Sequence, residues 1–195
     1  MPRILAFAGS ARRDSLNKKL ARVAAQYARE AGGEVTLVDL DDYPMPVYHG
    51  DLEAAEGMPE NALRLRELFL AHDALLIASP ENNASVSALL KNTIDWLSRS
   101  IGDGKGPNSG LAPYKGKVAA ILGATPGPWG TVRGSLPHLR QILSALGVTV
   151  LAPQVPLAHA DEAFDEAGAL KDARVAKSVQ SLTAALVDMT RKLKG

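Results

Sequence analysis

Short, largely apolar runs recur along this chain, and between them lie stretches whose apolar residues fall at helical spacing. Ile4 to Ala8 is the first such run, and Glu34 to Leu40, Ala74 to Ala78, Val118 to Leu122 and Val148 to Val155 follow. The first intervening stretch carries Leu16, Leu20, Val23, Ala24, Tyr27 and Ala28, one helical stripe closed by Gly32-Gly33. Strands that alternate with helices imply a parallel sheet covered on both faces. Wholly apolar strands agree, because a parallel strand is buried on both sides. That alternation excludes all-helical and all-β architectures, and it directs attention to one edge of the sheet.

The remaining elements fit the same alternation. Asp41 to Met58 reads as a loop punctuated by Pro44, Pro46, Gly50 and Gly57, and Pro59 opens a helix running to about Leu70. Val86, Leu89, Leu90, Ile94 and Leu97 predict another helix. Gly102 to Gly116 reads as a loop. Val132, Leu136, Leu139, Leu143 and Leu146 form a helix face, with Pro137 in its first turn. Pro153 interrupts the fifth strand, so that strand is set near an edge. A last helix carries Val175, Val179, Leu182, Leu186, Met189 and Leu193. Five strands at a length of 195 residues predict one domain over 1–195. The expected fold is α/β: a flavodoxin-like, doubly wound, five-stranded parallel sheet of order 2-1-3-4-5 with helices on both faces.

Composition removes several function classes. Lys and Arg number 22 and Asp and Glu 21, a net charge of +1 that argues against a nucleic-acid binder. Cysteine is absent, which excludes disulfides, thiolate metal sites and cysteine nucleophiles. The four histidines at 49, 72, 138 and 159 are dispersed, so no metal site is expected. No Gly-x-Ser-x-Gly elbow occurs. No apolar run approaches the roughly 18 residues of a membrane span, and the N-terminal run reads as a buried strand of a cytoplasmic protein.

Ligands of such sheets bind beyond the C-terminal strand ends, at the switch in strand order. Three loops fall there: Gly9 to Asn17, Ser79 to Ser85 and Ala124 to Gly130. In the first, Gly9 allows a tight exit, Ser10, Ser15 and Asn17 offer hydrogen bonds and Arg12 adds charge, beside a helix N-terminus. On the residues alone it reads equally as a phosphate cradle or as a helix cap at Asp14 or Ser15. Pro80 to Asn83 alone is a polar turn before a helix capped by Ser85 or Ser87. Pro126 to Gly130 alone is a rigid connector bearing a half-buried Trp129. Trp96 reads as a packing residue, and Lys18, Lys19 and Arg22 as a solvated helix face.

Taken together, the three loops resemble the NAD(P)H-dependent FMN reductases, a family that includes quinone, azo-dye and chromate reductases. The first loop is similar to the family's G-S-x-R-x-x-S-x-N. Ser79 to Arg99, SPENNASVSALLKNTIDWLSR, is similar to its P-E-Y-N-x-S-x-P-x-x-L-K-N-x-I-D-W segment. Thr125 to Leu143, with Pro126-Gly127, Gly130, Arg133 and Leu139-Arg140, is similar to a third block. The resemblance implies FMN as cofactor and NAD(P)H as co-substrate. It implies that Ser10, Arg12, Ser15 and Asn17 hold the FMN phosphate. Pro80, Glu81, Asn82 and Asn83 would line one side of the ring and Thr125 and Gly127 the other. It names no catalytic side chain, since the flavin carries the hydride chemistry.

Two positions depart from the pattern. Asn82 stands where the family has Tyr, and Ser87 where it has Pro. The expected activity is hydride transfer from NAD(P)H through FMN to a quinone, flavin, azo compound or metal oxyanion. The alternatives are a flavodoxin-type electron carrier, against which the net charge of +1 counts, and a flavin-sensing module. A homodimer or homotetramer is expected, with Trp129 and the 41–58 loop beside an open ring face. No nucleic-acid or membrane partner is expected.

Overall fold

A computed structural model of the chain describes residues 1–129, 131 and 133–194. Strand β1 (Arg3–Ala8) leads into helix α1 (Leu16–Glu30), and β2 (Glu34–Asp39) follows. A short helix α2 (Gly50–Glu56) and a longer α3 (Glu60–Ala71) precede β3 (Ala74–Ala78) and α4 (Ala88–Leu97). Then come β4 (Val118–Ala124), α5 (Ser135–Ala145), β5 (Thr149–Val150), β6 (Val155–Leu157) and α6 (Ala173–Lys194). The sheet is parallel with order β2-β1-β3-β4-β5, and β6 also pairs with β4.

Alternation within each strand builds two cores. Ile4, Ala6, Ala8, Leu76, Ala78, Ala120 and Leu122 face α1 and α6. Leu5, Phe7, Leu75, Ile77, Ala119 and Ile121 face α3, α4 and α5. The first side is lined with alanine, and Ala21, Ala24, Ala25 and Ala28 of α1 answer it. Small residues on both surfaces bring α1 close to the sheet. That closeness positions the loop from β1 to α1 over the strand ends.

The fifth strand differs from the sequence expectation. The expected strand over 148–155 with its interruption at Pro153 is two separate strands, so among the described residues the sheet has six strands. Thr149–Val150 pairs with Val118 and Ala119, the chain swings out, and Val155–Leu157 returns beside Leu122 to Ala124. Pro153 offers no ladder N–H in the gap. Arg140 of α5 donates instead to the carbonyls of Val150, Leu151 and Ala152, at 3.3, 2.8 and 3.3 Å. The interruption blunts an edge that could otherwise pair with another chain.

The 41–58 loop is more structured than its Pro and Gly content suggests. Its α2 buries none of its residues, so it carried no apolar stripe to read. The segment docks on α4. Tyr48 N–H donates to Asn92 Oδ1 at 2.8 Å, and Trp96 Nε1 donates to the Pro46 carbonyl at 2.8 Å. Trp96 is fully buried, in agreement with its reading as a packing residue. Tyr48 Oη donates to Glu53 Oε2 at 2.9 Å, and Arg99 Nε donates to both Glu53 oxygens at 2.9 and 3.0 Å. Pro59 sits one residue earlier than expected, before the first residue of α3. Val132, set on the α5 face from sequence, lies outside the described residues.

Candidate functional site

Parallel register carries β1, β3 and β4 to one level. Ala8 pairs with Ala78, and Ala78 with Leu122. The loops that leave these strands enclose a cleft of about 330 Å³. Ser10, Arg12, Ser15 and Asn17 form one wall, Pro80, Glu81 and Asn82 the second, and Ala124, Thr125 and Pro126 the third. The cleft lies at the switch in strand order between β1 and β3, where doubly wound sheets take their ligands.

Gly9 begins the first wall. Its N–H donates to the Ala78 carbonyl at 2.9 Å. A Cβ there would lie 2.9 Å from Leu90 Cβ, so α4 can approach only a glycine. Ser15 caps α1, its Oγ accepting from Lys18 N–H at 3.3 Å, and its own hydroxyl hydrogen stays free to donate. The first N–H groups of α1 lack intrahelical acceptors and point toward the cleft end of the helix. Arg12 is exposed, and among the described residues it donates only to the Asp14 carbonyl, at 3.1 Å. Among the described residues no carboxylate pairs with it.

Asn17 is engaged already. Its Nδ2 donates to the Ala124 carbonyl and its Oδ1 accepts from the Ala124 N–H, both at 2.9 Å. It is a buried clamp between the first and third walls. Lys18, expected on a solvated helix face, is buried. Its Nζ reaches Asp39 Oδ2 at 2.7 Å and the Ala11 carbonyl at 3.1 Å, and so props the first loop from behind. The signal was present: Lys18 lies three and seven residues before the buried Ala21 and Ala25.

The second wall ends in a tight hairpin. Asn82 and Ser85 exchange backbone hydrogen bonds at 3.0 Å each, and Asn83 and Ala84 between them have φ of 50° and 58°. Asn tolerates that conformation, whereas Ala is strained in it. The turn is held from α5. Glu81 Oε2 accepts from Ser135 N–H at 3.1 Å, Ser135 Oγ donates to Ser79 Oγ at 2.7 Å, and His138 Nδ1 lies 3.0 Å from Ser85 Oγ. A Cβ at Gly134 would meet the Ala84 backbone within 2.6 Å. Ser87, not Ser85, caps α4, and its Oγ donates to the Gly9 carbonyl at 2.5 Å. The serine that replaces a family proline therefore joins α4 to the first loop.

Two of the residues set on the ring from sequence stand away from the cleft lining. Asn83 faces the groove between α4 and α5, with Val86, His138 and Ile142. Gly127 supports the third wall from behind, its N–H donating to Thr125 Oγ1 and its carbonyl accepting from His159 N–H, both at 3.3 Å. No residue of the 41–58 loop lines the cleft. Gly130 of the third loop lies outside the described residues.

The sequence profile of the family described as NADPH-dependent FMN reductase matches residues 2–162. The chain belongs to this family. An NAD(P)H-dependent FMN reductase of Pseudomonas aeruginosa is 38% identical over 194 residues, which cover 99% of this chain and 97% of that protein. An NADPH:quinone oxidoreductase of Arabidopsis thaliana is 33% identical over 196 residues, 99% of this chain and 94% of the relative. Among solved structures, the flavoenzyme NAD(P)H:(acceptor) oxidoreductase FerB of Paracoccus denitrificans superposes with a TM-score of 0.81 at 32% identity, covering 98% of each chain. Membership makes this reductase an oxidoreductase whose redox groups are FMN and NAD(P)H. No helix among the described residues is long and apolar enough to cross a membrane.

The cleft suits FMN. An arginine without a carboxylate partner, a serine hydroxyl and a helix N-terminus converge on one wall, which is the donor set of a phosphate site. The other two walls are short, proline-fixed turns that leave a slot between them.

Proposed function

We propose that the reductase holds FMN by its phosphate at Ser10, Arg12 and Ser15, with Asn17 fixing the loop that carries them. Pro80, Glu81 and Asn82 line one side of the ring slot, and Thr125 lines the other. Asn83 and Gly127 shape those turns from outside. Bound there, FMN would supply the chemistry by which a hydride from NAD(P)H passes on to an acceptor. This chain's residues bind, orient and shield, and none is assigned a proton. The observation that carries the reading is Arg12, with no carboxylate partner among the described residues, on a wall formed by the N-terminus of α1 at the switch point of the sheet.

The acceptor class is a quinone, in line with the name of the 33% identical plant relative. Asn82, exposed at the mouth of the cleft, gives that acceptor a polar edge where the family has an aromatic one. The protein acts as one FMN domain over 1–195 in the cytoplasm, a compartment that suits a chain with no cysteine. It assembles as a homodimer or homotetramer. Exposed Val47 and Leu111, and an open groove of about 800 Å³ between α4 and α5, are apolar surfaces for that assembly.

The test is steady-state turnover of NADPH and a quinone by the FMN-loaded protein. Three walls leave one open side for two flat substrates, so they must visit in succession. Double-reciprocal plots at several quinone concentrations are expected to be parallel. Intersecting lines require a second binding place. Failure to oxidise NADPH or NADH with any acceptor returns the protein to the carrier or sensor class.

A further inference from the structure

Beyond Pro126 the third wall runs into an exposed indole stacked against a guanidinium. Trp129 is 60% exposed. Arg133 Cζ lies 3.7 Å from the centre of its ring. Pro126 and Pro128 stiffen the segment that presents the indole. An exposed Trp is hard to account for by packing, since so large an apolar surface is usually buried. A guanidinium that stacks by its face keeps its in-plane N–H donors free for an anion. Among the described residues no carboxylate lies within ion-pairing distance of Arg133.

The surroundings favour one class of ligand. The N-terminus of α5, which follows Arg133, is closed to an arriving anion, because Glu81 already accepts from Ser135 N–H. An anion there must be met by Arg133 itself. With Arg133 over the ring the indole is still 60% exposed, which leaves surface for a flat heterocycle, and purine bases stack on aromatic side chains regardless of their edge pattern. Flat base and phosphate together describe an adenosine phosphate. Trp129 lies four positions beyond Thr125, which lines the cleft, so the platform stands no more than about 14 Å along the chain from the slot. A dinucleotide with its nicotinamide in the slot can span that distance.

We propose that Trp129 and Arg133 form the adenosine subsite of the reductase. Adenine stacks on the exposed indole, and Arg133 binds the 2′-phosphate that NADPH carries and NADH lacks. Arg133 is thereby the residue that sets NADPH over NADH. The subsite rests on the FMN reading, because that reading places the nicotinamide in the slot.

The experiment titrates adenosine 2′,5′-bisphosphate and 5′-AMP into the FMN-loaded protein and follows tryptophan fluorescence. The chain has two tryptophans, and Trp96 is buried, so the exposed indole reports alone on quencher access. The bisphosphate is expected to quench at about tenfold lower concentration than 5′-AMP, as a charge-assisted contact gives. Arg133→Ala should abolish that preference, Arg133→Lys should restore part of it, and Trp129→Ala should remove the quenching. In turnover, Arg133→Ala should lower the ratio of kcat/KM for NADPH to that for NADH about tenfold. Equal quenching by the two nucleotides, or a ratio that Arg133→Ala leaves untouched, overturns the subsite. A wild-type protein that prefers the bisphosphate but oxidises neither dinucleotide overturns the reductase reading and leaves the subsite standing.

Discussion

Arg12 and Asn17 stand five residues apart on the same wall and do opposite things. Asn17 has both ends of its amide tied to Ala124, so it shapes the cleft without being free to choose a ligand. Arg12 reaches into solvent with one weak backbone contact, so its charge is available. Arg12→Ala should therefore weaken FMN while leaving the fold intact. A hydrogen bond to a charged group contributes about 1.5–3 kcal/mol, so the loss is roughly tenfold to a hundredfold in Kd. Flavin fluorescence titration measures it, and full affinity in the variant would assign the phosphate to other donors. The sequence displayed the residue types of this wall but not their division of labour. An asparagine that binds ligand and one that clamps a strand end look the same until residue 124 is seen 107 positions away. Lys18 was legible in principle, since its spacing to Ala21 and Ala25 marks the buried face of α1.

The second wall is an element under strain. Ala84 holds φ of 58° at the tip of the hairpin. For an L-residue with a Cβ that conformation costs about 1–2 kcal/mol, and glycine relieves it while adding about 0.5–1 kcal/mol of unfolded-state freedom. Ala84→Gly should raise stability by roughly 0.5 kcal/mol, read from the urea midpoint at constant m-value. A lower midpoint would mean the methyl group packs against a neighbour. The strap over α4 responds to pH instead. The Arg99 guanidinium holds the Glu53 carboxyl below its ordinary value near 4.5; burial opposes it, and the Tyr48 hydroxyl adds to it. A carboxyl lowered in the folded state stabilises above its ordinary value and loses that contribution as pH falls through the folded one. The stability gap between wild type and Glu53→Gln should thus be present at neutral pH and shrink below about 4.5. A gap of constant size across that range would separate the strap from the ion pair. Neither feature was legible from period alone. The seven residues of α2 include none that is fully buried, with Leu52 only half-buried against the core, and the hairpin follows from contacts with Gly134 and Ser135 fifty residues on.

Over the whole molecule the sequence was most informative about the sheet. Wholly apolar runs such as Ala74 to Ala78 leave little choice but a parallel strand covered on both faces, and the observed order β2-β1-β3-β4-β5 follows the expected one. The split edge strand was less legible. Pro153 marked the interruption, but the carbonyls it frees are taken up by Arg140, an arginine of α5 with no local sign of that role. The same sheet brings three loops to one level and makes the cleft, so the function depends on what that cleft holds. Titrating the protein with FMN and with riboflavin tests it most directly, because the two differ only in the phosphate. FMN is expected to bind at least about tenfold more tightly, the worth of charge-assisted contacts at Arg12 and Ser15. Equal affinity would contradict the account and leave Ser10 to Asn17 as a helix cap.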